Sequence, residues 1–189
     1  MDAQGEVTVI LYLIGKPGTG KYSIAKELAK TGYTICDNQL INNPIFALLN
    51  YDGKSNLYIP EFAWEAIGEI RKKIFDFLVK KTEGSYILTN VLYEDEGDKE
   101  LFHAVEDMAL QRGSTFIPVK LLISEEENIK RIQNIDRSLR YKSIDIEDAK
   151  DKRSLLAISH PSLLELDVSE LSAESAANRI IAWSGALRK

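Results

Sequence analysis

Five short apolar runs alternate with longer segments of helical periodicity along this chain, and this alternation constrains the fold more than any other feature of the sequence. The runs are rich in β-branched and large apolar residues, which is typical of strands buried on both faces of a parallel sheet. They cover residues 7–14, 33–36, 86–92, 116–123 and 163–168. The alternation predicts an α/β fold of three layers, with helices on both faces of a five-stranded parallel sheet.

The segments between the runs carry signals for the beginning and end of helices. Pro60 suits the first position of a helix, and Ser124 with Glu127 three residues later forms a capping-box pattern. Helices are predicted over about residues 21–31, 60–81, 98–111 and 172–187, with one more beginning after Ser124. No repeat or glycine- and proline-rich linker divides the chain, so residues 1–189 are predicted to form one domain.

Composition narrows the classes of partner. The 189 residues include 24 Lys and Arg and 29 Asp and Glu, and the net charge of −5 gives no electrostatic reason to expect nucleic acid or an anionic membrane as a partner. A single cysteine, Cys36, excludes an internal disulfide. No apolar run reaches the roughly 18 residues of a membrane helix, and the first residues lack the basic end of a secretory signal, so a cytoplasmic protein is expected. The oligomeric state is left open.

A glycine-rich segment between the first run and the first predicted helix has the spacing G-x-x-x-x-G-K of a phosphate-binding loop. Glycines allow successive backbone NH groups to turn inward around a phosphate, and the following helix directs the positive end of its dipole to the same place. Lys21 then reaches over the β- and γ-phosphates of a nucleotide. The predicted nucleotide-binding residues are Gly15, Pro17, Gly18, Thr19, Gly20, Lys21, Tyr22 and Ser23.

A dinucleotide-binding turn is the alternative interpretation of the same glycines. Residues 18–23 approximate the fingerprint G-x-G-x-x-G/A, and Asp37 lies 19 residues after Gly18. However, Ser23 stands where that fingerprint requires glycine or alanine. Its first glycine should also follow the strand directly, a place that Gly15 occupies here. The phosphate-binding loop is therefore the favoured interpretation.

The loop departs from the commonest form of the motif at the residue after Lys21. That residue is Tyr22, where Ser or Thr usually binds magnesium, and Ser23 follows one position later. This arrangement resembles the G-x-P-G-x-G-K-x-[ST] loop of adenylate kinases and other small P-loop kinases, with Pro17 in the same place. The resemblance to shikimate, gluconate and adenylate kinases extends over essentially the whole chain. It implies transfer of the ATP γ-phosphate to a small-molecule acceptor, with Mg²⁺ held by Ser23.

The second run is followed by Asp37, and the carboxyl ends of neighbouring parallel strands converge on the ligand crevice of such a sheet. Shikimate kinase and similar enzymes place an aspartate at this strand end, near magnesium and the acceptor hydroxyl. The resemblance therefore implies that Asp37 orients or deprotonates the acceptor, or holds Mg²⁺ through water. The alternative is a structural role for Asp37, as a helix cap or turn residue before Asn38.

The acceptor is expected to bind in residues 38–82, the region that such kinases use for it. Amides such as that of Asn38 suit a hydroxylated, uncharged or weakly charged acceptor, and Arg71 is the only arginine in this region. Both residues are predicted to contact the substrate. Asn43 precedes Pro44, a pair that favours a loop after the second strand.

The third run contains Thr89 and Asn90 where P-loop enzymes often carry the Walker B aspartate that supports magnesium. Asparagine cannot supply that negative charge. Either Asp37 and a water shell compensate for it, or the metal site is weak. Thr89 and Asn90 are instead predicted to contact the acceptor or the γ-phosphate.

A basic stretch follows the fourth run, with five basic residues and one acidic residue between positions 130 and 142. In adenylate and shikimate kinases this part of the chain is the lid, here residues 130–145, whose arginines close over the phosphates. Arg137 and Arg140 are three residues apart, so in a helix they would share a face and clamp the γ-phosphate. The alternative is a solvated helical face with ordinary surface arginines.

Two functions are consistent with these residues. The first is a magnesium-dependent kinase in which Lys21 and Asp37 act on ATP and a small hydroxyl-bearing metabolite. The second is a nucleotide-binding regulatory or interaction module with weak or no phosphotransfer, because Tyr22 and Asn90 both depart from the magnesium-binding pattern. A phosphotransfer screen separates the two.

Overall fold

The five predicted strands form one parallel sheet. The structure is a computed structural model that describes residues 7–53, 58–134 and 142–187. Its strands are β1 (Val9–Ile14), β2 (Tyr33–Asp37), β3 (Ser85–Asn90), β4 (Thr115–Leu122) and β5 (Leu164–Asp167). They lie in the order β2-β3-β1-β4-β5, and every neighbouring pair is parallel. Each strand begins and ends within two residues of its predicted bounds, so the predicted sheet is confirmed.

Helices fill the intervals between the strands. They are α1 (Lys21–Ala29), α2 (Asn38–Leu48), α3 (Glu61–Lys80), α4 (Glu96–Arg112), α5 (Glu125–Ile132), α6 (Ile146–Lys150) and α7 (Ala173–Ala186). Within the described ranges, no helix has the length and apolar character needed to cross a bilayer.

The central strand β1 is buried on both faces, and its alternating side chains divide the core in two. The face that includes Leu11 packs against α1 and α7. The opposite face, which includes Tyr12, packs against α3 and α4. The predicted three-layer α/β architecture is therefore confirmed.

The segment after β2 is a helix, α2, so the predicted loop is wrong. Ile41 and Phe46 of α2 are buried against Ile67 of α3 in a third, smaller apolar cluster. This burial outweighs the poor helix propensity of the asparagines, and Pro44 lies inside the helix. Because proline lacks an NH group, α2 loses one backbone hydrogen bond there and continues.

The predicted serine caps are present at two helices. Ser124 accepts a hydrogen bond from the Glu127 NH at 3.3 Å, and Ser172 accepts one from the Ser175 NH at 3.0 Å. Each serine oxygen satisfies one of the NH groups that have no partner within the first turn. The Glu127 side chain instead accepts from Arg131 Nε at 2.8 Å.

Arg112, the last residue of α4, is a buried cation that ties α3 to β3. Only 4% of its surface is exposed. Its guanidinium donates hydrogen bonds to the carbonyl oxygens of Lys81, Glu83 and Gly84 at 2.8, 2.7 and 2.7 Å. Burial lowers the pKa of Arg112. These carbonyl groups belong to the turn between α3 and β3, so Arg112 fixes the position from which β3 starts towards the site.

Candidate active site

The phosphate-binding loop connects β1 to α1 at the edge of the sheet where β1, β2 and β3 end. Gly15 begins the loop, and its NH donates to the Asn90 carbonyl oxygen at 3.2 Å, which joins the loop to the end of β3. A Cβ at Gly15 would lie 2.9 Å from Thr19 Oγ1 and 3.0 Å from the Leu121 carbonyl oxygen. Only glycine therefore lets the chain turn this closely against β4.

The loop ends at the first turn of α1. Gly20, with φ of 84°, is the residue before α1, and it provides no side-chain cap. The first NH groups of a helix have no partner inside the helix, and its dipole is positive at this end. Those of α1, from Lys21 to Ser23, therefore form the kind of site that binds a phosphate group.

The Lys21 ammonium lies inside the loop. Its Nζ donates to the carbonyl oxygen of Gly15, to that of Lys16 at 2.9 Å and to Thr19 Oγ1 at 3.5 Å. Thr19 is itself buried, and its hydroxyl donates to the Lys16 carbonyl oxygen at 2.9 Å, which braces the turn. The loop is thus folded around a positive charge at the point where a phosphate would bind.

Tyr22 brings two further cations to the loop. Its ring lies 4.6 Å from Lys142 Nζ and 5.5 Å from Lys26 Nζ, measured to the ring centroid. Aromatic faces attract ammonium groups at such distances. Tyr22 therefore holds two lysines beside Ser23, which lines the same cleft.

Asp37 is the structural cap of α2 and also the partner of Lys142. Its Oδ1 accepts a hydrogen bond from the Leu40 NH at 3.2 Å, so the predicted alternative of a helix cap is correct. Its Oδ2 lies 3.8 Å from Lys142 Nζ. Asp37 is 3% exposed and is not one of the described residues that line the cleft, whereas Lys142 lines it.

A network of amides joins the ends of β2 and β3. Asp37 pairs with Thr89 in the sheet register, and the Asn38 NH donates to Thr89 Oγ1 at 3.2 Å. Asn38 Oδ1 accepts from Asn90 Nδ2 and from Arg71 Nη2, both at 3.2 Å. The predicted residues Asn38, Thr89 and Asn90 are thus brought together, and all three line the cleft.

Arg71 lies behind this network. Besides Asn38, its Nη2 donates to Asn42 Oδ1 at 3.4 Å. Burial lowers the pKa of Arg71, and the charges of Tyr12 and Asp98 act in the opposite direction. Among the described residues, Arg71 is not one of those that line the cleft, so it reaches the cleft through Asn38.

The loop, the residues that follow β2 and the end of β3 line one cleft of about 540 Å³. Phe46 of α2, Tyr51 and Trp64 of α3 line the same cleft. No sequence pattern identifies these aromatics or Lys142 as residues of the site. The helical spacing of Trp64 suggests a core residue, although 43% of its surface is exposed. Lys142 is one of several basic residues in its stretch, and no local pattern marks it out.

The two predicted lid arginines, Arg137 and Arg140, lie outside the described residues, so their role stays a prediction. Before them, α5 ends at Ile132, and Arg131 is already engaged. Its Nη2 donates to the Val168 carbonyl oxygen at 2.9 Å, which joins α5 to the chain after β5.

Comparison with known proteins shows the fold of this chain. No family model and no curated protein matches the sequence. The structure of a sugar kinase from Janibacter sp. matches with a TM-score of 0.58 at 15% identity over 94% of this chain and 95% of that chain. The structure of APS kinase from Mycobacterium tuberculosis in complex with AMPPNP and APS matches with a TM-score of 0.59 at 13% identity, over 96% of this chain and 99% of that chain. The structure of a gluconokinase from Sinorhizobium meliloti matches with a TM-score of 0.54 at 12% identity, over 97% of both chains. The chain therefore has a P-loop kinase-like fold.

Proposed function

We propose that the protein is an ATP-dependent kinase that transfers the γ-phosphate of ATP to a hydroxyl group of a small metabolite. One observation carries the proposal: the phosphate-binding loop, the polar residues that directly follow β2 and the end of β3 line a single cleft of about 540 Å³. A γ-phosphate held by the loop and a hydroxyl held at the strand ends would meet there. The fold shared with a sugar kinase, APS kinase and a gluconokinase supports the proposal.

For this reaction the protein must position the two reactants and neutralise the negative charge of the phosphates. The acceptor hydroxyl oxygen attacks the γ-phosphorus, the bond from that phosphorus to the β–γ bridging oxygen breaks, and ADP leaves with the electron pair. The NH groups at the start of α1 and the Lys21 ammonium would offset the charge that develops on the phosphates. The hydroxyl proton would pass to the Asp37 carboxylate.

Lys142 must change partners for Asp37 to accept that proton. In the structure its Nζ lies 3.8 Å from Asp37 Oδ2. The phosphates of bound ATP carry more negative charge than one carboxylate and would lie beside the same ammonium. ATP binding would therefore draw Lys142 from Asp37 to the phosphates and open the carboxylate to the acceptor.

Magnesium would be held mainly by the nucleotide and water, as is usual for Mg²⁺ in phosphoryl-transfer sites. The Ser23 hydroxyl would bind the ion directly or through water, and Asp37, the proposed proton acceptor, would contact it only through water; oxygen donors of this kind suit Mg²⁺. Among the described residues, no group of three or more His, Cys, Asp or Glu side chains is placed to hold a metal ion alone. The ion would supply positive charge to the β- and γ-phosphates.

The acceptor hydroxyl would be oriented by the amides of Asn38 and Asn90 and by Thr89. Arg71 would act as a positioning residue, because its contact with the cleft passes through Asn38. Arg137 and Arg140 remain proposed as lid residues that close over the γ-phosphate.

Phosphorus NMR tests the proposal directly. ATP and Mg²⁺ are incubated with the protein and a panel of sugars, polyols, nucleosides and shikimate. We expect the γ-phosphate resonance to fall while ADP and a phosphate monoester appear, only when an acceptor is present and only with an intact Lys21. ATP that binds tightly but yields no ester with any acceptor would contradict the proposal.

A nucleotide-binding regulatory or interaction module is the second candidate function. The observations that favour it are Tyr22 at the usual magnesium-ligand position and Asn90 at the usual Walker B position. This module would bind ATP through Lys21 and leave it unchanged in the same NMR experiment.

A further inference from the structure

The α2–α3 side of the cleft carries a set of three aromatic side chains, Phe46, Tyr51 and Trp64, which we term the aromatic wall. The Phe46 ring centroid lies 4.9 Å from that of Tyr51 and 5.8 Å from that of Trp64, which meets it edge to face at 87°. Phe46 is anchored in the apolar cluster with Ile41 and Ile67. The wall is therefore held in place before any ligand binds.

Trp64 is the member of the wall that remains open. It is 43% exposed, whereas Phe46 is 5% exposed. A single exposed aromatic on a protein surface needs no explanation, but one that lines a polar cleft offers a ring face to whatever enters. A flat apolar group of a ligand would cover this face and gain both burial and stacking.

Uncharged polar groups at the ends of β2 and β3 line the cleft together with the wall. They are the amides of Asn38, Gln39 and Asn90 and the hydroxyl of Thr89. Arg71 donates hydrogen bonds to Asn38 and Asn42. It is not one of the described residues that line the cleft.

Lysines line the same cleft. Lys21 lies in the phosphate loop, and Lys26 and Lys142 lie beside the Tyr22 ring. The Lys142 ammonium is also 3.8 Å from Asp37 Oδ2, so positive charge reaches the end of β2 next to Asn38. The cleft therefore combines an aromatic surface with amides, a hydroxyl group and ammonium groups.

We infer that the acceptor carries an aromatic or heteroaromatic ring in addition to its reactive hydroxyl, as in a nucleoside or an aromatic alcohol. The ring stacks on Trp64, and the hydroxyl reaches the amides of Asn38 and Asn90. This inference rests on the proposed kinase function and specifies its substrate class.

Tryptophan fluorescence tests acceptor binding whether or not an acceptor reacts. The chain has two tryptophans, and Trp183 on α7 donates its Nε1–H to the Ser162 carbonyl oxygen. Trp183→Phe leaves Trp64 as the reporter. With AMPPNP present, uridine and benzyl alcohol are compared with glucose and glycerol. We expect saturable quenching from at least one ring-bearing compound and none from the ring-free compounds. Which ring-bearing compound binds separates nucleosides from aromatic alcohols.

Kinetics on matched variants complete the test. We expect Trp64→Ala to raise the KM of a ring-bearing acceptor about tenfold with the KM of ATP unchanged, and Trp64→Phe to stay within about threefold. Phe77→Ala is the control, because Phe77 is 61% exposed on the same helix and does not line the cleft.

Three results would overturn the inference: equal quenching by the ring-free compounds, no saturable quenching by either ring-bearing compound, or an unchanged acceptor KM in Trp64→Ala. If the protein phosphorylated ring-free acceptors and the fluorescence of Trp64 did not change, the inference about the ring would fail and the kinase proposal would still hold. ATP bound but transferred to nothing would instead remove the kinase proposal, and the fluorescence titration would still report on the wall.

Discussion

At the scale of single residues, the phosphate-binding loop depends on backbone geometry as much as on charge. Gly18 has φ of 93°, in the left-handed region that side-chain-bearing residues rarely adopt. A Cβ there would lie 1.8 Å from Asn128 Oδ1, and Asn128 is 1% exposed in α5. Because the Asn128 side chain is buried, it cannot turn into solvent to make space for a side chain at position 18. The conformation of the loop therefore depends on the position of α5.

Gly18→Ala should therefore distort the loop. We expect the Kd for ATP, measured by calorimetry, to rise at least tenfold, because the new methyl group strains the backbone and displaces Asn128. Gly68→Ala is the matched control: Gly68 lies in α3, and a Cβ there has no neighbour within 4 Å. Its ATP affinity should be unchanged and its thermal stability equal or slightly higher. Unaltered affinity in Gly18→Ala would contradict the loop geometry.

Asp37→Asn separates the two roles of Asp37. Asparagine caps a helix about as well as aspartate, so the Tm should remain within a few degrees. The amide cannot accept the hydroxyl proton, so kcat should fall about 100-fold with little change in the KM of ATP. Asp95→Asn, at the cap of α4, is the control and should leave kcat unchanged. An unchanged kcat in Asp37→Asn would reduce Asp37 to a helix cap.

At the scale of elements, Arg112 holds the α3–β3 turn through backbone carbonyl groups. Arg112→Met keeps most of the apolar stem and removes every donor, leaving several carbonyl oxygens near the end of α3 without their partner. We expect the free energy of unfolding to fall by about 3 kcal/mol in denaturant titration. Lys99→Met, on the exposed side of the same helix, should change it by less than about 0.5 kcal/mol. If Arg112→Met lowered the free energy of unfolding by no more than Lys99→Met does, the α3–β3 turn would not depend on the hydrogen bonds of Arg112.

The segment after α6 carries a local ion pair and is joined to the phosphate loop through its backbone. Arg153 donates from Nε and Nη2 to Asp151 Oδ2 at 2.9 and 2.7 Å, and the Asp151 carbonyl oxygen accepts from Lys16 Nζ. The Arg153 hydrogen bonds are the main reason that the pKa of Asp151 falls from its ordinary 3.8 to about 2. The hydrogen bond from Lys16 links the segment to the loop, and the ion pair is confined to residues 151–153.

This lowered pKa predicts a pH-dependent stability. The folded state favours ionised Asp151, so the contribution is complete above about pH 4 and is lost as the pH falls through about 2. Since Arg153 is 65% exposed, screening reduces the contribution to about 1 kcal/mol. Arg153→Met should lose this amount at pH 7 and progressively less from pH 4 to pH 2 in urea titrations, with Lys72→Met, at an exposed position of α3, as control. A pH-independent difference between wild type and Arg153→Met would contradict it.

The elements also show what the sequence could and could not reveal. The strands and most helices are predicted because their apolar periodicity is local and strong. Helix α2 is missed because its stability comes from the contact of Phe46 with α3, which no local pattern contains. The same limit explains why Trp64 resembles a core residue: helical spacing does not distinguish burial in a core from a position at the edge of a cleft.

At the scale of the whole molecule, the topology assembles the site from distant parts of the chain. The loop motif identifies its own residues because phosphate binding requires their spacing. The pairing of Lys142 with Asp37 and the contact of Arg71 with Asn38 depend on strand order and helix packing. Sequence can therefore nominate Asp37, Asn38 and Asn90 but not the partners that position them.

The lysines of the cleft explain how a protein with a net negative charge could bind an anionic nucleotide. A net charge of −5 would repel ATP, yet the described residues that line the cleft include Lys21, Lys26 and Lys142 and no acidic side chain. The cleft thus concentrates positive charge within an acidic protein. Such a field attracts an anionic nucleotide to this one place on the surface.

Calorimetric titration of Mg·ATP into the Lys21→Met variant tests the central claim most directly, because every proposed step requires the triphosphate in this loop. Lys30→Met is the matched control, since Lys30 lies at the other end of α1 and does not line the cleft. We predict that Lys21→Met weakens ATP binding at least tenfold, whereas Lys30→Met stays within about threefold of wild type. Wild-type affinity in Lys21→Met would contradict the account.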